Sequence, residues 1–249
     1  MAAETKSLKT LLQETLVFIQ RNFSSLLGVA AVVYVPLSAL FSLFFWVVFL
    51  FNDKIDILSP HKSVLAVVIF IVFFAALVTI ALLAIMVFSI AIIKALKACD
   101  EQKKIVFKDL YRSSAAILGP FCVVILWVFV KVSLWSLLFV IPGIVFAMFY
   151  SFAHIVFILD GRQGLSALKA SRDIVQPFFW EFVGKSFVAG FLFCLASGLC
   201  TAVIHFVFQS NTGWDFIFAS ILENLTNGFL GIFPITFGYL LYKDLKERV

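Results

Sequence analysis

Six long apolar runs, separated by polar breaks, dominate this sequence of 249 residues. A bilayer hydrocarbon core of about 30 Å is crossed by about 20 apolar residues in a helix, and each run reaches that length. Continuous apolar runs differ from the alternating pattern of barrel strands, and only helices or closed barrels satisfy the backbone in lipid. The sequence predicts one all-α polytopic membrane domain over 1–249, with transmembrane helices at approximately 24–51, 63–93, 117–139, 140–159, 182–208 and 216–242.

The composition excludes a soluble globular fold. Hydrophobic residues make up 63% of the chain and charged residues 13%, with a mean hydropathy of +1.11, whereas an average soluble domain has roughly 25% charged residues. A soluble fold cannot bury that much apolar surface. The net charge of +5 comes from residues that flank the apolar runs, so we expect no nucleic-acid partner.

The Lys and Arg residues are unevenly distributed between alternate polar breaks. The three short breaks contain only Lys54 and Lys62, whereas the two termini and the long loops contain sixteen. By the positive-inside rule, both termini and the predicted loops 94–116 and 160–181 are cytoplasmic. The sixteen residues are Lys6, Lys9, Arg21, Lys94, Lys97, Lys103, Lys104, Lys108, Arg112, Arg162, Lys169, Arg172, Lys185, Lys243, Lys246 and Arg248.

A short amphipathic stretch precedes each pair of predicted spans. Residues Leu8–Leu11, Phe107–Leu110 and Leu165–Leu168 each place apolar residues three positions apart, beside a basic or polar face. The first stretch predicts an interfacial helix over 5–21. Three parallel helix-plus-hairpin repeats would produce this pattern, but any helix lying on the cytoplasmic face would show it too.

Basic residues near these stretches are candidates for contacts with anionic lipid headgroups. The positive-inside rule alone would also produce them, so both explanations stay open. The candidates are Lys103, Lys104, Lys108, Arg112, Lys169 and Arg172.

Residues 141–180 contain three local motifs. Ile141–Met148 opens the fourth run, Gly164–Ser171 follows in the next loop, and Phe178–Trp180 is an aromatic cluster. Together they resemble a bacterial superfamily of six-span proteins, which includes the YciC-like uncharacterised inner-membrane proteins and the membrane domain of some glycerophosphodiester phosphodiesterases. The resemblance implies a six-span fold in the inner membrane. It does not imply lipid hydrolysis, because the soluble catalytic domain and its His and acidic clusters are missing.

Polar residues are rare within the apolar runs, and they define a candidate intramembrane site. Lys131 in the third run and Glu223 in the sixth lie at similar depths, and intramembrane charges suggest function by default. We expect either a pair between spans three and six, functional or structural, or a Lys131 side chain that extends to the outer headgroups. Asn227, His154 and His205 complete the candidate set, although histidines that only bond neighbouring helices are commoner than relay groups.

The fifth run contains a stripe of small residues at i, i+4 spacing, which allows another backbone to approach closely. The partner is either another helix of this chain or a second protomer. The stripe consists of Gly190, Cys194, Gly198 and Ala202.

Pro and Gly mark three further positions in the spans. Pro142 and Gly143 predict a tight outer hairpin in which Gly143 lets a neighbouring helix approach. Pro36 and Pro234 predict kinks in spans one and six.

The sequence lacks the motifs of common enzyme classes. No P-loop, zinc-protease or nucleophile-elbow motif is present, and the four cysteines lack metal-binding spacing, so we expect no enzyme activity, cofactor or metal. The leading hypothesis is a non-enzymatic inner-membrane protein that organises or binds lipids, with a homo-oligomer or an envelope protein as a further partner. The alternative is a transporter or channel for a small solute or lipid that uses Lys131 and Glu223.

Overall fold

The computed structural model describes residues 6–52, 64–208 and 213–249, and no β-strand occurs in those ranges. Six segments are long and apolar enough to cross a membrane, so the predicted all-α class with six apolar spans is confirmed. The helices in these ranges are α1 (Leu8–Arg21), α2 (Phe23–Asn52), α3 (Val64–Asp100), α4 (Phe107–Ala116), α5 (Leu118–Leu138), α6 (Val140–Phe149), α7 (Ala153–Asp160), α8 (Gly164–Val175), α9 (Phe179–Val207), α10 (Gly213–Leu230) and α11 (Ile232–Lys246). A short 3₁₀ turn, Gln176–Phe178, links α8 to α9.

Four of the spans are continuous helices: α2, α3, α5 and α9. Helix α3 has 37 residues, which is about 55 Å at 1.5 Å per residue and exceeds a bilayer core of about 30 Å. Part of this helix therefore extends beyond the bilayer core, and the predicted loop 94–116 begins as helix. Pro36 lies inside α2 without interrupting it.

The other two spans are broken. The predicted helix 140–159 consists of α6 and α7, which a turn at 150–152 separates, and the predicted helix 216–242 consists of α10 and α11, separated at Gly231. Pro234 is the third residue of α11, where its missing N–H removes no intrahelical hydrogen bond. Span six is thus interrupted at Gly231, three residues before Pro234, although the N–H of Gly231 still bonds to the Asn227 carbonyl at 2.9 Å.

Three short helices, α1, α4 and α8, each precede a pair of spans. Ser7 caps α1, because its hydroxyl accepts a hydrogen bond from the Thr10 N–H at 3.2 Å. Helix α4 is attached to α2 through Tyr111, whose hydroxyl donates to the carbonyl of Val29. Burial raises the pKa of Tyr111 to about 12, so the phenol stays a donor at neutral pH.

The buried core lies at the end of the bundle that holds these short helices. In contrast, the α5–α6 hairpin exposes large apolar side chains, with Leu137 89% and Ile141 76% exposed, as expected of a surface that faces lipid. The largest fully buried side chains are Tyr242, Phe88, Leu11, Leu26, Ile90, Ile92, Ile93, Leu96, Ile155, Leu241, Leu245 and Val29.

Ion pairs join separate helices at the same end. Asp100, the last residue of α3, accepts hydrogen bonds from the Tyr239 hydroxyl at 3.2 Å and the Lys243 amine at 2.7 Å. Asp160, the last residue of α7, accepts one from the Lys246 amine at 2.6 Å. A carboxylate at a helix C-terminus opposes the helix dipole, and here a cation from α11 offsets that cost. We call this end of the bundle the charged end.

A second ion-pair network at the charged end connects α9, α11 and the N-terminal segment. Lys185 contacts Glu181 at 2.5 Å and also donates to the backbone carbonyl of Lys6 at 2.7 Å. Arg248 contacts Glu181 at 3.0 Å and Asp244 at 2.5 Å. The start of α9, the C-terminal end of α11 and the N-terminal segment therefore meet in one layer.

Candidate functional site

A polar pocket of about 640 Å³ lies at the charged end, between the α1–α2 junction and the α3–α4 turn. We call it the interfacial pocket. Its lining residues are Phe18, Arg21, Asn22, Ser24, Ser25, Cys99, Asp100, Gln102, Lys103, Lys104, Ile105 and Phe107.

One wall of the interfacial pocket is the junction between α1 and α2. Helix α1 ends at Arg21, and Asn22 closes it by donating from its side-chain amide to the Phe18 carbonyl at 2.9 Å. Helix α2 starts at the next residue, so Ser24 and Ser25 lie in its first turn. The first N–H groups of a helix have no intrahelical partner and favour anions. This wall therefore presents the Arg21 guanidinium, the Ser24 and Ser25 hydroxyls and the first turn of α2.

The opposite wall is the tight turn that follows α3. Gln102 has a positive φ of 55°, and the N–H of Lys103 bonds back to the Ala98 carbonyl at 2.8 Å. This geometry turns the chain sharply after Asp100 and places Lys103 and Lys104 across from Arg21. Two predicted lipid-contact residues are thus part of the pocket.

The pocket has an excess of positive charge. Asp100 is already paired with Lys243, and Lys103 pairs with exposed Glu101 at 2.6 Å, a hydrogen bond that lowers the pKa of that carboxyl. In the part of the chain that the structure describes, no carboxylate lies within 4 Å of Arg21 or Lys104. These two cations are available to an external anion.

The other predicted basic residues lie outside the pocket. Lys108 and Arg112 are exposed on α4, and Lys169 is exposed on α8. Arg172 lies over the ring of Phe149 at 5.7 Å and bonds to a neighbouring glutamine. The sequence prediction missed Arg21, Ser24 and Ser25, for which the one available signal was a basic residue directly before an apolar run.

Polar side chains also meet within the membrane, along the contact between α9 and α10. Ser197 donates to the Asn227 side-chain oxygen at 2.5 Å, and Thr201 donates to Glu223 at 3.4 Å. His205 lies 3.4 Å from the other oxygen of Glu223. We call these five residues the polar seam. It contains three of the predicted intramembrane residues and adds two hydroxyls.

Lys131 is not part of the polar seam. Helix α10 packs mainly against α2 and α9, whereas α5, which contains Lys131, packs mainly against α6 and α8. Among the described residues, no carboxylate lies within 4 Å of the Lys131 amine. The expected pair between spans three and six is therefore absent, because equal depth did not make the two helices neighbours.

His154 lies in a third place, on α7 in the second half of the broken fourth span. It lines a cavity of about 370 Å³ between α7, α9 and α11. The predicted intramembrane residues thus fall into three separate environments.

The small-residue stripe on α9 is open in the structure. A Cβ built at Gly190 or Gly198 would meet no atom within 4 Å, and Cys194 and Ala202 are exposed. Within the described part of the chain, no helix packs closely along this stripe. The described residues therefore do not show another span of this chain packed against the stripe.

The described residues contain no group of three or more His, Cys, Asp or Glu side chains that could hold a metal ion. Comparisons with known proteins add no relative: no family model, curated protein or solved structure matches this chain.

Proposed function

We propose that this chain is a bacterial inner-membrane protein that binds anionic lipid headgroups in the interfacial pocket. The observation that carries the proposal is the contrast between two sets of cations at the charged end. Lys185, Lys243, Lys246 and Arg248 are paired with carboxylates of the chain, whereas Arg21 and Lys104 line the pocket and have no carboxylate within 4 Å among the described residues. The positive-inside rule accounts for the presence of basic residues in these regions. It does not account for the position of Arg21 and Lys104 in the walls of one pocket.

The chemistry of the pocket suits a lipid phosphate. Hydrogen bonds from ionised donors to phosphate are roughly twice as strong as neutral ones, and Arg in particular matches the geometry of phosphate oxygens. Hydroxyls of Ser24 and Ser25 and the start of α2 add neutral donors. Its volume of about 640 Å³ falls in the range of about 300–1,000 Å³ usual for small-molecule sites.

The proposal includes an orientation in the membrane. The charged end contains the ends of α3, α7 and α11 and the first turn of α9, which belong to the regions rich in Lys and Arg. We assign this end to the cytoplasm, with both termini there. Each short helix and the two spans after it would then form one of three parallel repeats, and the resemblance to the YciC-like proteins remains part of the proposal.

Native mass spectrometry tests headgroup binding directly. The protein is released from nanodiscs that contain phosphatidylglycerol and phosphatidylethanolamine, and retained lipids are counted for the wild type and the Arg21→Gln/Lys104→Gln variant. A hydrogen bond to a charged group contributes about 1.5–3 kcal/mol, so losing both cationic donors weakens retention of phosphatidylglycerol at least about tenfold.

The matched control is Lys108→Gln/Lys169→Gln, which removes the same charge from exposed positions outside the pocket. We expect this variant to retain phosphatidylglycerol like the wild type. Equal losses in both double variants would refute the pocket and leave only a diffuse electrostatic attraction.

The polar seam favours a second candidate function, transport of protons or a small solute. It places a carboxylate, an imidazole and two hydroxyls within one helix–helix contact, and such groups in membrane spans mark proton and ion routes. A pH-sensitive dye trapped in proteoliposomes tests proton flux. Transport through the seam predicts flux that Glu223→Gln abolishes and Lys131→Gln preserves, since Lys131 lies elsewhere.

A further inference from the structure

The cavity beside His154 is built around the break in the fourth span. Its walls come from the end of α6, the turn at 150–152, α7, α9 and α11. We call it the inner cavity. Its lining residues are Met148, Ser151, Phe152, His154, Ile155, Phe182, Ser186, Ala189, Gly190, Pro234, Ile235, Phe237, Gly238 and Leu241.

A side chain from another helix bonds to the backbone on both sides of this break. Ser171 of α8, which is fully buried, donates to the Phe149 carbonyl at 2.7 Å and accepts from the Phe152 N–H at 3.1 Å. Irregular backbone at membrane depth occurs where protein buries it or where it lines a cavity. Both conditions apply here, because α8 covers one side of the turn and the inner cavity lies on another.

Most of the cavity wall is apolar, and two glycines leave space in it. A Cβ at Gly190 on α9 or at Gly238 on α11 would meet no atom within 4 Å. At about 30 Å³ per water-sized group, the volume of about 370 Å³ holds on the order of twelve such groups. The space therefore fits the first part of a hydrocarbon chain.

His154 gives the inner cavity one specific polar contact. Its side chain lines the cavity beside the turn at 150–152. In a neutral imidazole one ring nitrogen has no proton and accepts hydrogen bonds. A ligand that satisfies it must bring an O–H or N–H donor.

The depth of His154 also restricts the ligand. The residue lies six positions before Asp160 on α7, about 9 Å along the helix, and Asp160 belongs to the charged end. The headgroup regions account for only about 5–7 Å on each side of the hydrocarbon core. A charged headgroup would lie above this level, whereas a small uncharged O–H group can reach it.

We propose that the inner cavity binds a single-chain amphiphile whose head is a hydroxyl or a protonated carboxyl group, such as a long-chain alcohol or fatty acid. The O–H donates to the unprotonated ring nitrogen of His154, and the chain lies along α9 and α11 past Gly190 and Gly238. This site is separate from the interfacial pocket and does not depend on headgroup binding there.

Photolabelling tests the proposal. The probe is a sixteen-carbon alcohol with a diazirine near the hydroxyl and a terminal alkyne, added to wild-type protein in phosphatidylcholine nanodiscs. We expect labelled peptides from α7, α9 and α11. The unlabelled alcohol should compete at least about fivefold better than its methyl ether, which has no donor.

Two variants address the walls and the polar contact separately. Gly190→Leu fills the cavity and should reduce labelling at least about fivefold, whereas Gly184→Leu makes the same change on α9 at an exposed position outside the cavity and should not. His154→Phe keeps a similar volume, so it should remove the preference for the alcohol over the ether even if Gly190→Leu fails to fold. Labelling outside these helices, equal competition by the ether, or equal loss in Gly184→Leu would each overturn the proposal.

Discussion

Individual polar side chains decide whether an irregular backbone can exist inside this apolar bundle. Ser171 is the clearest case, because its hydroxyl satisfies two backbone groups of the broken fourth span at 2.7 and 3.1 Å. Removing one partner of a buried polar group costs about 1–3 kcal/mol, since the remaining group is unsatisfied. We predict that Ser171→Ala lowers the free energy of unfolding by about 2 kcal/mol, measured by denaturant unfolding in detergent micelles.

The control for this prediction is on the same helix. Ser166 is exposed and bonds to the Gln163 carbonyl at 2.7 Å, where water can replace it. Ser166→Ala should therefore change stability by less than about 0.5 kcal/mol. If the two variants were equally stable, the bridging role of Ser171 would be wrong.

At Gly143 the packing of two helices requires a residue without a side chain. A Cβ at this position would lie 2.8 Å from the Ser136 Cα and would overlap the Ser136 hydroxyl, so α5 and α6 would have to separate. We predict that Gly143→Ala destabilises the protein by about 1–3 kcal/mol, measured by thermal unfolding. Gly198→Ala, which faces open space, should have no such effect and serves as the control.

At the scale of helices, the sequence predicted the number of spans better than their continuity. Pro234 and the nearby Gly231 gave a local signal for the interruption between α10 and α11. The segment 150–152, Tyr-Ser-Phe, contains neither Gly nor Pro. Its break depends on Ser171, a contact across 19 to 22 residues, and a local pattern cannot show such a contact.

The residues of the candidate sites, like the continuity of the spans, were only partly predictable from the sequence. Residue type and depth identified Glu223, Asn227 and His205, which the structure brings together with two hydroxyls of α9. Depth along a helix does not specify which helix lies beside it, so it could not decide between the two alternatives for Lys131, of which the pair with Glu223 does not occur. Arg21 was missed for a related reason, because only the fold places the α1–α2 junction opposite the turn after α3.

Helix α11 is attached to the rest of the bundle by a buried ion-pair network. The Arg248 side chain is only 4% exposed, and its partners Asp244 and Glu181 are 6% and 24% exposed. Removing one partner of a buried pair costs about 3–5 kcal/mol, because a charge stays buried without compensation. We predict that Arg248→Gln destabilises the protein by about 3 kcal/mol, measured by denaturant unfolding in detergent micelles.

An exposed ion pair in the same region provides the comparison. The Lys6 and Glu14 side chains are 43% and 39% exposed, and exposed pairs contribute about 0–1 kcal/mol. Lys6→Gln also keeps the backbone carbonyl that Lys185 uses. If Lys6→Gln lowered the free energy of unfolding as much as Arg248→Gln, the buried network would stabilise the protein no more than an exposed ion pair does.

The described part of the molecule differs between its two ends. The charged end combines the buried core, the ion-pair layers and the interfacial pocket, whereas the α5–α6 hairpin exposes apolar side chains such as Phe139, which is 70% exposed. Among the described residues, the ion-pair layers and the interfacial pocket of the charged end offer groups that water or lipid headgroups can solvate. Charged residues are costly in the bilayer core, so we expect the charged end at a membrane surface, which the proposed orientation assigns to the cytoplasm.

Cysteine labelling tests this orientation. In a variant that lacks Cys99, Cys122, Cys194 and Cys200, single cysteines are introduced at Gln163, which is exposed between α7 and α8, and at Phe139, between α5 and α6. A membrane-impermeant maleimide should modify Gln163→Cys in inverted vesicles and Phe139→Cys in right-side-out vesicles. The reverse pattern would place the interfacial pocket on the outer surface, where the positive-inside rule gives no reason for the accumulation of Lys and Arg. Modification of both positions from one side would contradict the six-span arrangement itself, because an odd number of crossings separates the two loops.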